Sequence, residues 1–151
     1  MEDNSVLAEH ASGWRNNSLY IGKTSKNLEG VFSAAEIKQN DIIEVCPLIL
    51  FSNQDVEFLQ YTNLYNYHSF KNNYCRPGFL PLGFGAIYNH SSPSNAKYEM
   101  NLIKKILTIS AVIDIEPNAE ITINYNGKFD DSTPVAFTSK NEVYEFSVTL
   151  F

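Results

Sequence analysis

Short apolar blocks separated by polar punctuation run along the chain, and their period is closer to two than to 3.6 residues. SLYIGKT (Ser18–Thr24) and GVFSA, in the Gly30–Ala35 region, predict two short strands. IIEV (Ile42–Val45) and LILF (Leu48–Phe51) predict two more, with Cys46-Pro47 between them. Proline lacks the N–H a ladder needs, so Pro47 predicts an edge or a bend. GAIY, AKYEMN, KILTISAVI and EITINY read as further strands, and VYEFSVTLF (Val143–Phe151) alternates as a closing one. QDVEFLQYTN (Gln54–Asn63) is the best helix candidate, with Val56, Phe58 and Leu59 near one face. LYNYHSF (Leu64–Phe70) is aromatic and alternating, and KNNYCRPG (Lys71–Gly78) reads as a loop.

One echo adds to this pattern. EIKQNDII (Glu36–Ile43) and DIEPNAEI (Asp114–Ile121) share the spacing I-x-x-N-x-x-I. Asn40 and Asn118 sit where a tight turn needs a positive φ, which Asn tolerates better than most residues. Two ordinary turns would give the same pattern.

The length of 151 residues fits one domain, large enough to bury roughly two-thirds of its unfolded surface. Ten Phe and nine Tyr favour β structure around an aromatic core. The formal charge of -6, with no basic cluster beyond Lys104-Lys105, argues against direct nucleic-acid binding. That field suits a basic peptide or protein surface. The two cysteines, Cys46 and Cys75, form no CxxC, and no metal site is expected. MEDNSVLAEH is acidic and polar, unlike a signal peptide, and IIEVCPLILF is too short to span a bilayer. The expectation is a soluble intracellular protein with reduced thiols, cytoplasmic, or nuclear in a eukaryote.

Common catalytic signatures such as GxSxG, HExxH and GxxxxGK are missing. GAIYNHSSPSNAKYE (Gly85–Glu99) places one of three histidines beside an asparagine in a polar loop. A lone His is more often structural, yet loops are also where binding groups collect. Tyr125 ends EITINY and is followed by the turn Asn126-Gly127, a common position for a reacting group. As one Tyr among nine, it is more often packing. Cys46 lies in an apolar run with no neighbouring base, which favours a buried structural thiol. Glu120 and Asp114 could act as acid or base, but carboxylates on such turns are usually solvated.

Taken together, NHSSPSNA followed by DIEPNAEITINYNG, with LEGVFSAAEIKQNDIIEV upstream, resembles the SET-domain protein-lysine N-methyltransferases. That family has an NHSxxPN segment, a G-E-E-L/I-x-x-x-Y strand, a G-x-G-V/L-F turn and an I-x-x-G-x-x-I unit. The match spans about Leu19 to Gly127, with the motifs in the family's order. The resemblance implies a mainly β fold of several small sheets, a knot-like crossing near NHSxxPN, and one or two short helices. It implies a loosely held segment 1–17, a SET domain over 18–128, and a segment 129–151 packed on the cofactor and substrate side. Without Cys-rich flanks, it implies the minimal form lacking zinc clusters.

The implied activity is transfer of a methyl group from S-adenosyl-L-methionine to a lysine of a basic protein substrate. Carried over by position, Tyr125 is the catalytic tyrosine. Glu29, Gly30, Tyr88, Asn89, His90 and Tyr125 bind the cofactor, and Cys46, Tyr98 and Ile123 line the lysine channel. Phe129, Phe137 or Tyr144 would cover the adenine. Departures from the family pattern are Leu28 for the first glycine of G-x-G, Pro93 and Ser94 where the proline should fall at 94, asparagine for glycine at 40 and 118, and Cys46 for a channel tyrosine. An inactive SET-fold module that only binds a peptide is the rival reading. A homodimer completing the groove is an open alternative.

Overall fold

The computed structural model describes residues 13–59, 61 and 78–135. The expected stretch Leu64–Phe70, the closing strand Val143–Phe151, and Cys75, Phe137 and Tyr144 lie outside them. Nine strands and one helix follow in the order β1 (Trp14–Arg15), β2 (Leu19–Lys23), β3 (Glu29–Ser33), β4 (Ile42–Leu50), α1 (Asn53–Leu59), β5 (Phe79–Pro81), β6 (Asn89–His90), β7 (Ala96–Asn101), β8 (Ile106–Ala111) and β9 (Glu120–Ile123), counted among the described residues. The fold is mainly β, in two small sheets.

The first sheet has the order β1-β4-β8-β7, with β5 also on β4. Its strands pair antiparallel throughout. β1 lies inside the segment expected to be loosely held, and its Arg15 pairs with Glu44. Ile42–Leu50 is one strand rather than two. Pro47 sits where β4 changes partner, the last β4 residue paired with β8 before Leu48 takes up β5. A missing N–H is tolerable at such an exchange point. α1 starts with a capping box: Asp55 N–H donates to Ser52 Oγ at 3.1 Å, and Ser52 N–H donates to Asp55 Oδ2 at 2.8 Å. Phe58, expected on its apolar face, is 74% exposed.

The second sheet has the order β2-β3-β9-β6, and β6 lies parallel to β9. The two echo segments lie side by side, joined by an isolated antiparallel bridge. Ile37 and Ile115 exchange backbone bonds of 3.0 and 2.8 Å, and both side chains are buried. Asn40 and Asn118 adopt φ of 72° and 62°, the left-handed turns that their spacing predicts. Ile43, Leu107, Ile109, Val31, Ile121 and Ile123 form the heart of one core shared by both sheets.

GAIY is not a strand; residues 82–87 make turns that deliver the chain into β6. After β9, the chain crosses the loop that follows β6. Ser94 N–H donates to the Phe129 carbonyl at 2.9 Å, and the Ser92 hydroxyl and Asn124 amide donate to the Asp131 carbonyl. This crossing binds residues 128–131 onto the polar loop. No helix among the described residues is long and apolar enough to cross a membrane.

Candidate active site

Three elements converge: the start of β3, the two residues of β6, and the end of β9. β6 sits beside β9 in register Asn89↔Thr122 and His90↔Ile123. That register aims Asn89 at β3, where its Nδ2 donates to the Glu29 carbonyl at 2.8 Å and to Glu120 Oε1 at 2.7 Å. Both amide hydrogens are thereby committed, which leaves Oδ1 in the acceptor role.

Gly30 makes this junction sterically feasible. A Cβ there would lie 2.6 Å from Glu120 Oε1 and 3.0 Å from Asn89 Nδ2. Leu28, one of the departures, fits its turn without a left-handed φ. Thr24 N–H donates to its carbonyl, and its own N–H donates to Thr24 Oγ1. Its side chain is exposed.

On the other side of β6, His90 Nδ1 accepts the Tyr125 N–H at 3.1 Å, and the two rings lie 5.3 Å apart. That contact needs an unprotonated Nδ1, and burial lowers the His90 pKa below its ordinary value. The Tyr125 hydroxyl donates to the Tyr88 carbonyl at 2.8 Å. Burial, helped by the Glu120 charge, pushes this phenol up to about 12, so it is protonated at neutral pH. Tyr98 reaches the same corner, donating to the Tyr125 carbonyl at 3.4 Å.

Glu29, Gly30, Asn89, His90, Tyr98 and Tyr125 are thus brought together. Tyr88 joins them through its backbone carbonyl; its side chain is 1% exposed, and its hydroxyl donates to Glu44 Oε2 at 2.8 Å. Cys46 packs under Gly85 beside Glu44, where burial raises its thiol pKa. Ile123 is wholly buried in the core. Of the three aromatics proposed to cover an adenine, only Phe129 is among the described residues, and it is about half exposed.

Two residues of this region take parts that the sequence reading did not give them. Glu120, expected to be solvated, is half-buried and bound to Asn89. Asn95 acts as a substitute strand: its Nδ2 donates to the Glu120 carbonyl, and its Oδ1 accepts the Thr122 N–H, each at 2.8 Å. The signal available for both was a polar side chain beside a short apolar strand. The displaced proline also has a structural counterpart. Ser94 is buried, and its N–H, which a proline would lack, holds Phe129.

Asn89 Oδ1 and the Glu120 carboxylate make an acceptor pair suited to a ligand carrying an ammonium group. Next to it stands a protonated phenol whose hydrogen is already directed to a carbonyl.

Comparisons with known proteins bear on this arrangement. Residues 29–126 match the family described as SET domain. A Schizosaccharomyces pombe protein named histone-lysine N-methyltransferase, H3 lysine-37 specific, is 28% identical over 131 residues, 84% of this chain and 88% of that one. A Plasmodium falciparum crystal structure described as a candidate histone methyltransferase is 37% identical, with a TM-score of 0.56, covering 71% of this chain and 96% of that chain.

Proposed function

The chain belongs to the SET-domain family, and from that premise we propose that it is a protein-lysine methyltransferase using S-adenosyl-L-methionine. The observation that carries this reading is the convergence of Asn89 and His90, from β6, and Tyr125, from the turn after the parallel strand β9, onto one corner. The cofactor, when bound, supplies an electrophilic methyl group. Asn89 Oδ1 and the Glu120 carboxylate would hold its amino-acid end, with backbone groups of Glu29 and Gly30 beside them.

Tyr125 then has a defined part. Its proton is directed to the Tyr88 carbonyl, so its oxygen acts as an acceptor for polarised C–H groups and for the incoming amine. A lysine has to shed its proton to attack, and an apolar, aromatic surrounding favours the neutral amine by desolvation. Tyr98, placed against Tyr125, narrows the space in which that amine can sit. What remains for the protein is alignment, worth orders of magnitude in rate. The acidic chain and the histone-modifying relatives support a basic protein substrate such as a histone tail.

Calorimetry with S-adenosyl-L-methionine, followed by transfer of labelled methyl to histones and to a cell lysate, tests the reading. Binding plus label on protein lysine is the expected result. Binding of peptide without transfer would favour the inactive module, and no cofactor binding at millimolar concentration would sink the enzyme.

A further inference from the structure

We propose that Glu44 is a positioning residue for Tyr125, fixing the backbone carbonyl of Tyr88 that receives the Tyr125 hydroxyl. This inference rests on the reading of Tyr125 given above. Glu44 is the third residue of β4 and is 2% exposed. Its Oε1 accepts the Phe84 N–H at 2.9 Å, and its Oε2 accepts the Tyr88 hydroxyl at 2.8 Å. One carboxylate therefore holds two points of the turn that delivers the chain into β6.

The surroundings are shaped to that carboxylate. Gly83 has a φ of +69°, and a Cβ there would lie 2.3 Å from Glu44 Oε1. Gly85 packs so closely on Cys46 that a Cβ would meet its Sγ at 2.8 Å. Arg15, the strand partner of Glu44, lays its guanidinium 3.9 Å from the Phe84 ring centroid. Stability alone is a poor reason for such a group, because replacing both partners of a buried hydrogen bond by apolar groups of the same shape is often nearly neutral or stabilising. Its place in the chain is more telling. Tyr88, clamped by its hydroxyl, is the residue immediately before Asn89, and its carbonyl is the acceptor for Tyr125.

Tyr88→Phe removes the clamped hydroxyl and leaves the carbonyl; Glu44→Gln keeps the side chain's shape but turns one acceptor into a donor. In protein labelled with 13Cζ tyrosine, the Tyr125 resonance, identified by its loss in Tyr125→Phe, shifts in both variants. The resonance of Tyr20, whose hydroxyl bonds to Asn118, stays in place. In the transfer assay, kcat falls about tenfold while cofactor Kd and peptide KM stay within about twofold. The double variant is no worse than the more damaged single one. An unmoved Tyr125 resonance in folded Tyr88→Phe, or a lower melting temperature with wild-type kcat, overturns the proposal. A wild-type protein that transfers no methyl defeats the enzyme reading, while the resonance still decides the positioning. Should Glu44→Gln fail to fold, Tyr88→Phe decides by itself.

Discussion

Gly30→Ala isolates the steric basis of the corner proposed to hold the cofactor. Gly30 pairs with Gly22 in extended backbone and has no positive φ, so alanine meets no conformational strain there. The new methyl would stand 2.6 Å from Glu120 Oε1, 3.0 Å from Asn89 Nδ2 and 3.1 Å from Thr24 Cγ2. The carboxylate would have to retreat by about 0.8 Å to reach ordinary contact at 3.4 Å. It is the acceptor of the 2.7 Å bond from Asn89. Loss of such a charge-assisted bond costs about 1.5–3 kcal/mol, and overpacking costs a similar amount where the neighbours cannot yield. We expect about 2 kcal/mol of lost stability in urea unfolding. Asn89 would then be less well held, and if about 1.4 kcal/mol of binding energy goes with it, the Kd for S-adenosyl-L-methionine rises about tenfold. Glu120→Asp shortens the clashing side chain, so Gly30→Ala combined with Glu120→Asp should lose less than the sum of the two single changes. Additive losses, or a Gly30→Ala protein that binds cofactor within about twofold of wild type, would refute the reasoning.

Tyr125→Phe should lower kcat about a hundredfold while costing only about 1 kcal/mol of stability, because one hydrogen bond is lost but alignment is lost with it; labelled transfer at the wild-type rate would contradict the assigned part. His90 has its pKa lowered by burial, so its contribution to stability is full above the free imidazole value of 6.5 and is lost as pH falls through the lowered folded value. Unfolding and cofactor binding followed from neutral to acid pH should weaken together, and His90→Gln should flatten that limb. Asn95→Ala removes two bonds to β9 and should cost about 2 kcal/mol, with faster hydrogen exchange at the Thr122 amide as its local signature.

Much of this fold was legible because it rests on local patterns. AKYEMN coincides with β7, and the two I-x-x-N-x-x-I units make the left-handed turns their asparagines suggest. Asn89, His90 and Tyr125 were individually ambiguous and became a candidate site only through their order along the chain. The failures share one physical cause, a partner distant in sequence. GAIY has the composition of a strand, but its course is set by Glu44, which lies 40 residues before Phe84. β1 is two residues long and exists because β4 offers it an edge. Glu120 looked solvated because Asn89, 31 residues away, could not be foreseen as its partner.

These cases point to a signal that hydrophobic periodicity ignores. A polar side chain set within or beside an apolar strand has to find a partner once buried, and that partner need not be near in sequence. Glu44 in IIEVCPLILF, Asn95 before AKYEMN and Asn124 after EITI are of this kind. Glu44 takes Phe84 and Tyr88, Asn95 takes β9, and Asn124 takes the carbonyl of Asp131. No buried side-chain polar atom among the described residues is left without a partner. Glu44 and Asn95 tie together segments distant in sequence, and the candidate site lies where these two ties, Asn95 to β9 and Glu44 to the turn before β6, meet a third from Asn89 to β3. The corner that holds Tyr125 is therefore assembled by polar side chains on a scaffold of apolar strands, which is why composition and periodicity outline the scaffold, motif order points to Asn89, His90 and Tyr125, and only the structure shows the ties that join them.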